Sequence, residues 1–171
     1  TLVLFTSHAA LQAAHRALQG TVQSDEIRIL AQGIDGSPQK LLAEFQENPR
    51  VILLGTASFW EGVDIRGDAL KVLVLARLPF NVPTDPIFAA RAELYEDSFH
   101  QYALPRALLR FRQGFGRLIR SQSDRGVIVV ADRRILSKTY GEAFFNAIPR
   151  CTIKRPILRD VPHEIQRWLA G

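Results

Sequence analysis

Residues 72–80 read Val72-Leu73-Val74-Leu75-Ala76-Arg77-Leu78-Pro79-Phe80: an unbroken apolar run, then a cation and a proline. A strand with one wet face alternates apolar and polar side chains. An unbroken run is how a parallel strand reads when helices cover both of its faces. Working outward, the same pattern recurs at Leu2–Phe5, Val51–Leu54 and Val127–Ala131. A weaker run, Ile27–Ala31, carries Arg28 and is expected nearer an edge. Helical periodicity falls between the runs, over Ala9–Leu18, Pro38–Gln46, Pro86–Glu96, Pro105–Ile119 and Leu136–Ala147. Strands alternating with helices predict an α/β fold: a parallel sheet with right-handed crossovers, flanked by helices on both faces in three layers. In such sheets ligands bind at the carboxyl ends of the strands. The residues expected there are Thr6 and Ser7, then Gly55, Thr56 and Ser58, then Arg77 to Phe80, then Asp132, Arg133 and Arg134.

The chain has 171 residues, 47% of them hydrophobic, which suits one domain with a real core. No apolar run is long enough to span a bilayer, and the opening TLVLFTSH reads as a strand rather than a signal peptide. The sequence contains no methionine, so a piece of a longer protein is expected. Cys151 is the single cysteine, which excludes an internal disulfide or a cysteine cluster. His8, His15, His100 and His163 lack metal-ligand spacing, so no metal site is expected. The net charge is +5, yet residues 106–134 alone carry eight arginines against Asp124 and Asp132, a local +6. All eight cations are arginine, the side chain suited to bidentate contact with phosphate or carboxylate.

Placed at about 100° per residue, positions 104–120 separate cleanly. Leu104, Leu108, Phe111, Phe115, Leu118 and Ile119 share one sector; Arg106, Arg110, Gln113, Arg117 and Arg120 share the opposite one. Like charges at helical spacing repel by a few tenths of a kcal/mol per pair. A row with no interleaved acid therefore expects something negative opposite. Gly114 and Gly116 flank the row and admit either a ligand or a tight helix–sheet contact. Arg117 and Arg120 suit stabilisation of charge on a transferring phosphoryl group. A phosphate-binding G-x-x-x-x-G-K-[ST] loop is absent, as is an Asp-Glu pair at a strand end for magnesium. These residues complete an active site and do not supply a whole one.

Gln113-Gly114-Phe115-Gly116-Arg117-Leu118-Ile119-Arg120 resembles helicase motif VI, Q-x-x-G-R-x-I-R. Val51 to Gly67, VILLGTASFWEGVDIRG, resembles motif V, and Leu2 to Ser7, LVLFTS, resembles motif IV. The LPF at 78–80 and the DRR at 132–134 are similar to the DinG branch of XPD-like DNA helicases. In order and spacing the likeness covers nearly the whole chain and is to the second RecA-like motor domain, with residues 1–171 as that one domain and the first motor domain absent.

The resemblance implies roles. Arg117 and Arg120 would reach the γ-phosphate of ATP bound mainly, with Mg2+, by the first motor domain, and Gln113 would assist. Asp64 would accept from the ribose, Gly62 and Gly116 would let backbone approach the nucleotide, and Glu61 would couple nucleotide state to DNA. Thr6, Ser7 and Thr56 would bind phosphates of single-stranded DNA through hydroxyls and backbone N–H groups. Phe80 would touch bases or brace its loop. Polarity would be 5'-3', the location cytoplasmic on a bacterial nucleoid, and the partners single-stranded DNA and the first RecA-like domain, with no membrane. The family's iron–sulfur cluster, where present, is ligated outside this segment. Read from the residues alone, Asp64 caps a turn, Thr6 and Ser7 cap the strand end or meet DNA, Phe59 and Trp60 are core, and Gln32 is a loop residue or meets DNA. Arg133 and Arg134 pair with Asp132 or Asp124. Two rival functions are a nucleic-acid-binding module without a motor role and a RecA-like scaffold for protein partners.

Overall fold

A computed structural model describes residues 1–22, 26–56, 59, 69–82, 84–119 and 124–170. Five strands form one sheet: β1 (Leu2–Leu4), β2 (Arg28–Ala31), β3 (Val51–Gly55), β4 (Val72–Leu75) and β5 (Val127–Val130). Their spatial order is β2-β3-β1-β4-β5 and every pairing is parallel. Leu2 lies opposite Leu53 on one side and Leu73 on the other. The all-parallel sheet agrees with the expected three-layer RecA-like fold. β2 is an edge strand, as Arg28 foretold.

Seven helices occur among the described residues: α1 (His8–Thr21), α2 (Pro38–Glu47), α3 (Pro86–Ala92), α4 (Leu104–Leu118), α5 (Arg134–Ser137), α6 (Gly141–Asn146) and α7 (Val161–Ala170). Three of them start at a side-chain cap. Ser7 Oγ accepts from Ala10 N, Ser37 Oγ from Lys40 N, and Asp85 Oδ1 from Phe88 N. Proline follows the cap in α2 and α3, where its missing N–H costs nothing.

Successive strand side chains point to opposite faces. Leu2, Leu4, Leu53, Leu73 and Leu75 enter the larger core, with Leu41 and Phe45 of α2, Phe111 of α4 and Phe144 of α6. Ile52 and Leu54 join the smaller core on the other face, with Leu11 of α1 and Ala31. Covering on both faces explains why the central strands do not alternate. β5 departs from that expectation: all four of its residues are half-buried, because it closes the sheet at an edge.

Helix boundaries differ from the sequence reading in three places. The pattern expected over Pro86–Glu96 stops at Ala92, and a π-helical turn over Phe99–Ala103 leads into α4. The helix expected over Leu136–Ala147 is two, α5 and α6. At their junction a Cβ on Gly141 would fall 2.1 Å from the Ile135 carbonyl oxygen. The chain folds back on itself there, and only glycine admits that approach. Finally, α7 was not expected at all. No described helix is long and apolar enough to cross a membrane.

The chain runs from β1 outward to β2 and back to β3. It then crosses β1 to reach β4 and β5 on the far side. The direction of winding therefore reverses between β1 and β4. Connections leave those two strands toward opposite sides and open a crevice at their carboxyl ends, the favoured ligand position in an open α/β sheet.

Candidate functional site

Helix α4 organises the site. Its buried positions are Leu104, Ala107, Phe111, Gly114 and Leu118, spaced alternately by three and four. This seam is rotated from the sector of large apolar residues, because Ala107 and Gly114 are small and let the helix lie close to the sheet. Leu108 and Phe115 are only half-buried, and Leu109 is 57% exposed. The two glycines thus separate. Gly114 belongs to the helix–sheet contact. Gly116 is exposed, and a Cβ there would meet nothing within 4 Å.

The opposite face carries Arg106, Arg110, Gln113 and Arg117. With Leu109 and Gly116 they line an open hollow of about 620 Å³. None of its described lining residues is acidic. Arg106 lies over the Tyr102 ring at 5.4 Å, a cation–π contact. Its Nε is buried without a hydrogen-bond partner among the described residues. Four of the five residues of the row predicted from the sequence thus share one surface, and the fifth, Arg120, lies outside the described residues.

A second hollow, about 210 Å³, occupies the β1/β4 crevice. Leu4, Phe5 and Thr6 line it from β1, Arg77, Pro79, Phe80, Asn81 and Val82 from the end of β4, with Asp85 and Arg110 beside them. Two proposed DNA residues, Thr6 and Phe80, therefore meet in one groove. Ser7 does not line it and caps α1 instead. Thr56 lies 6% exposed, and its N–H and hydroxyl both donate to Gln32 Oε1, at 2.8 and 3.0 Å. That pairing ties the end of β3 to the end of β2 and gives Gln32 a structural place.

Phe80 packs its ring against Phe99 at 5.8 Å, Tyr140 at 5.5 Å and Phe144 at 5.9 Å. It braces the loop while one edge reaches the groove. Beneath it, Asp132 accepts from Leu78 N at 2.9 Å and from Arg134 Nε and Nη2, at 3.0 and 2.6 Å. The Arg134 guanidinium in turn sits 5.6 Å from the Phe80 ring. Burial pushes the Asp132 carboxyl up, but the Arg134 side chain and the two backbone N–H donors outweigh it and bring it down to about 2. Of the two partners weighed for Arg134, the structure selects Asp132.

Arg120, Glu61, Gly62, Asp64 and Trp60 lie outside the described residues; Phe59, beside them, is 1% exposed and in the core, as expected. No cluster of three His, Cys, Asp or Glu side chains suited to a metal occurs among the described residues. The described donor set of the large hollow, guanidinium and amide, fits a phosphate and offers no oxygen cage for Mg2+. Sequence reasoning passed over Asn81, which lines the groove and accepts from Arg110 Nη1 at 2.7 Å. Its signal was a lone amide directly after the LPF turn.

Residues 1–151 match the helicase C-terminal domain family. The 3'-5' exonuclease DinG of Bacillus subtilis is 43% identical over 175 residues, covering 99% of this chain and 18% of that protein. The ATP-dependent DNA helicase YoaA of Escherichia coli is 38% identical over 163 residues, covering 93% of this chain and 25% of that protein. The YoaA of Haemophilus influenzae is 36% identical, covering 91% of this chain and 24% of that protein. The chain therefore spans a quarter or less of the length of these relatives. With a matched region that takes in the whole sheet and the arginine helix, the chain belongs to the helicase C-terminal domain family.

Proposed function

We propose that this chain is the second motor domain of an ATP-dependent DNA helicase of 5'-3' polarity. The observation that carries the reading is the row Arg106, Arg110, Gln113 and Arg117, aligned along one open hollow in a helicase C-terminal domain. Guanidiniums set along one helix face suit bidentate contact with an anion. The anion proposed is the γ-phosphate of ATP held with Mg2+ chiefly by a first RecA-like domain. Arg117 and Arg120 then act as arginine fingers with Gln113 beside them, and Gly116 lets the phosphate come close to the backbone. Asp64, Gly62 and Glu61 contribute the ribose contact, the close backbone approach and the coupling to DNA that the motif V likeness implies.

On the other side, the groove between β1 and β4 offers Thr6 and the Phe80 edge to single-stranded DNA, and Ser7 and Thr56 lie at neighbouring strand ends. Thr56 takes part by tying the end of β3 to the end of β2, since Gln32 already accepts from its N–H and hydroxyl. Closing the two domains on ATP shifts these contacts relative to those of the first domain and advances the strand. The polarity, the nucleoid location and any iron–sulfur cluster in the remainder of the protein rest on the family likeness.

The test is DNA-stimulated ATP hydrolysis by the full-length parent, wild type against Arg117→Ala and Arg120→Ala. Each variant is expected to lose about 10³-fold in turnover, the low end for an arginine finger, with nucleotide binding largely kept. Unchanged turnover would refute the motor reading. It would leave a nucleic-acid-binding or partner-binding module, which tight, nucleotide-independent DNA binding by this domain alone would identify as the former.

A further inference from the structure

The two hollows share one side chain. Arg110 lines both the hollow along α4 and the groove between β1 and β4. Its Nη1 donates to Asn81 Oδ1 at 2.7 Å. The loop that walls the groove, residues 77–82, is held at three points. Leu78 N donates to Asp132, and Phe80 is packed among Phe99, Tyr140 and Phe144. Those two bind the loop to Asp132 after β5, to the π-helical turn and to α6. The third, Asn81 to Arg110, binds it to the face of α4 that bears Gln113 and Arg117.

Positions 110, 113 and 117 are three and four residues apart and so share one helix face. A displacement of Arg110 is felt by a row of mutually repelling cations rather than by an isolated side chain. Asn81 borders Phe80 and Val82 on the groove wall. Coupling between two sites needs a physical element that both of them bias, and this hydrogen bond joins the linings of the two hollows.

We propose that the Asn81–Arg110 hydrogen bond transmits occupancy of the β1/β4 groove to the arginine row. Asn81 is then a positioning residue for hydrolysis: it acts through Arg110 and touches no phosphate. The inference rests on the motor reading, in which the groove holds DNA and the row faces ATP.

The experiment uses the full-length protein, with oligothymidylate as the strand. ATP turnover is measured without the oligonucleotide and at its saturating concentration. Asn81→Ala is expected to lower the ratio of stimulated to unstimulated turnover about tenfold, within the usual range of coupling between sites. The unstimulated rate should stay within about twofold, and the saturating condition removes any effect of weaker DNA affinity. Asn81→Asp should restore the ratio, because a carboxylate accepts from the same guanidinium. Arg110→Lys keeps the charge but loses the planar fork, and should lower the ratio too. It serves as the second variant if Asn81→Ala folds poorly.

An unaltered ratio in Asn81→Ala would overturn the proposal. So would an equal loss of both rates, which marks a merely structural role, or a failure of Asn81→Asp to restore the ratio. The motor reading fails separately: full turnover in Arg117→Ala removes it whatever the Asn81 variants do. Abolished turnover in Arg117→Ala with a normal Asn81→Ala removes the coupling alone.

Discussion

Arg134 and Arg117 are both half-buried arginines set in different surfaces. Arg134 has a carboxylate two residues away, donates to both of its oxygens, and stacks over the Phe80 ring. Its charge is answered inside the fold. Arg117 stands in a row with Arg106, Arg110 and Gln113, on a hollow whose described lining contains no acid. A guanidinium closed on a buried carboxylate fixes a loop. A file of guanidiniums along one open hollow suits an anion arriving from outside. The same residue type thus serves the fold at one site and is proposed to meet a ligand at the other, and burial alone does not tell the two apart.

The sharpest way to break this contrast is to remove each arginine system in turn and ask what is lost. Arg117→Ala should remove about 10³-fold of DNA-stimulated turnover in the parent protein, close to 4 kcal/mol of transition-state stabilisation. Stability should change by no more than about 0.5 kcal/mol, as for a surface substitution. Urea denaturation of wild-type and variant chains checks the second half. A large loss of stability would move Arg117 into the structural class and erase the distinction.

Asp132→Ala should behave in the opposite way. It leaves the Leu78 N–H buried without its acceptor and the half-exposed Arg134 guanidinium without its partner, a loss of about 2 kcal/mol. The loss should appear as a lower denaturation midpoint of the 171-residue chain. The pH dependence sharpens the same point. The Asp132 carboxyl lies at about 2 in the fold against an ordinary 3.8. A depressed carboxylate contributes stability above its unfolded pKa and loses it as the pH falls through the folded one. The contribution, about 2 kcal/mol, should therefore be complete at pH 5 and disappear between pH 3.8 and pH 2. The gap in stability between wild type and Asp132→Asn should shrink over that window; a constant gap would mean that the carboxylate's charge is not what holds the loop.

The sheet was legible because covering on both faces leaves a simple trace: Leu2–Phe5, Val51–Leu54 and Val72–Ala76 each run apolar without a break. The order of the strands left no such trace, since it depends on which edges meet after the helices pack. Along α4 the cationic face was readable from charge spacing and the buried seam only in part, through Leu104, Phe111 and Leu118, because hydrophobic patterning weights size. Ala107 and Gly114 lie inward by being small, and larger Leu109 is left outside. The break between α5 and α6 depends on a close approach of Gly141 to the Ile135 carbonyl, a contact that periodicity does not encode. Asn81 escaped notice for a related reason: a single amide in a turn acquires meaning only when Arg110, 29 residues away, reaches it.

The smallest expected effect on stability bears on Gly116. A glycine inside a helix costs about 0.8–1 kcal/mol relative to alanine, less near a helix end. Gly116 is two residues from the end of α4, and a Cβ there would meet nothing within 4 Å. Gly116→Ala should therefore raise the stability of the chain slightly, by about 0.5 kcal/mol. A position kept as glycine for the fold would show the reverse, because a methyl group would have to displace a neighbour. If the hollow instead receives a phosphate against the backbone, the same methyl group stands in its way. DNA-stimulated turnover of the parent should then fall about tenfold or more, since small displacements of a reacting group are costly. A variant that is both more stable and less active would place Gly116 with Arg117 rather than with Gly114. A variant as active as wild type would make Gly116 an ordinary feature of a helix end, and the hollow would then need no more than the arginines to define it.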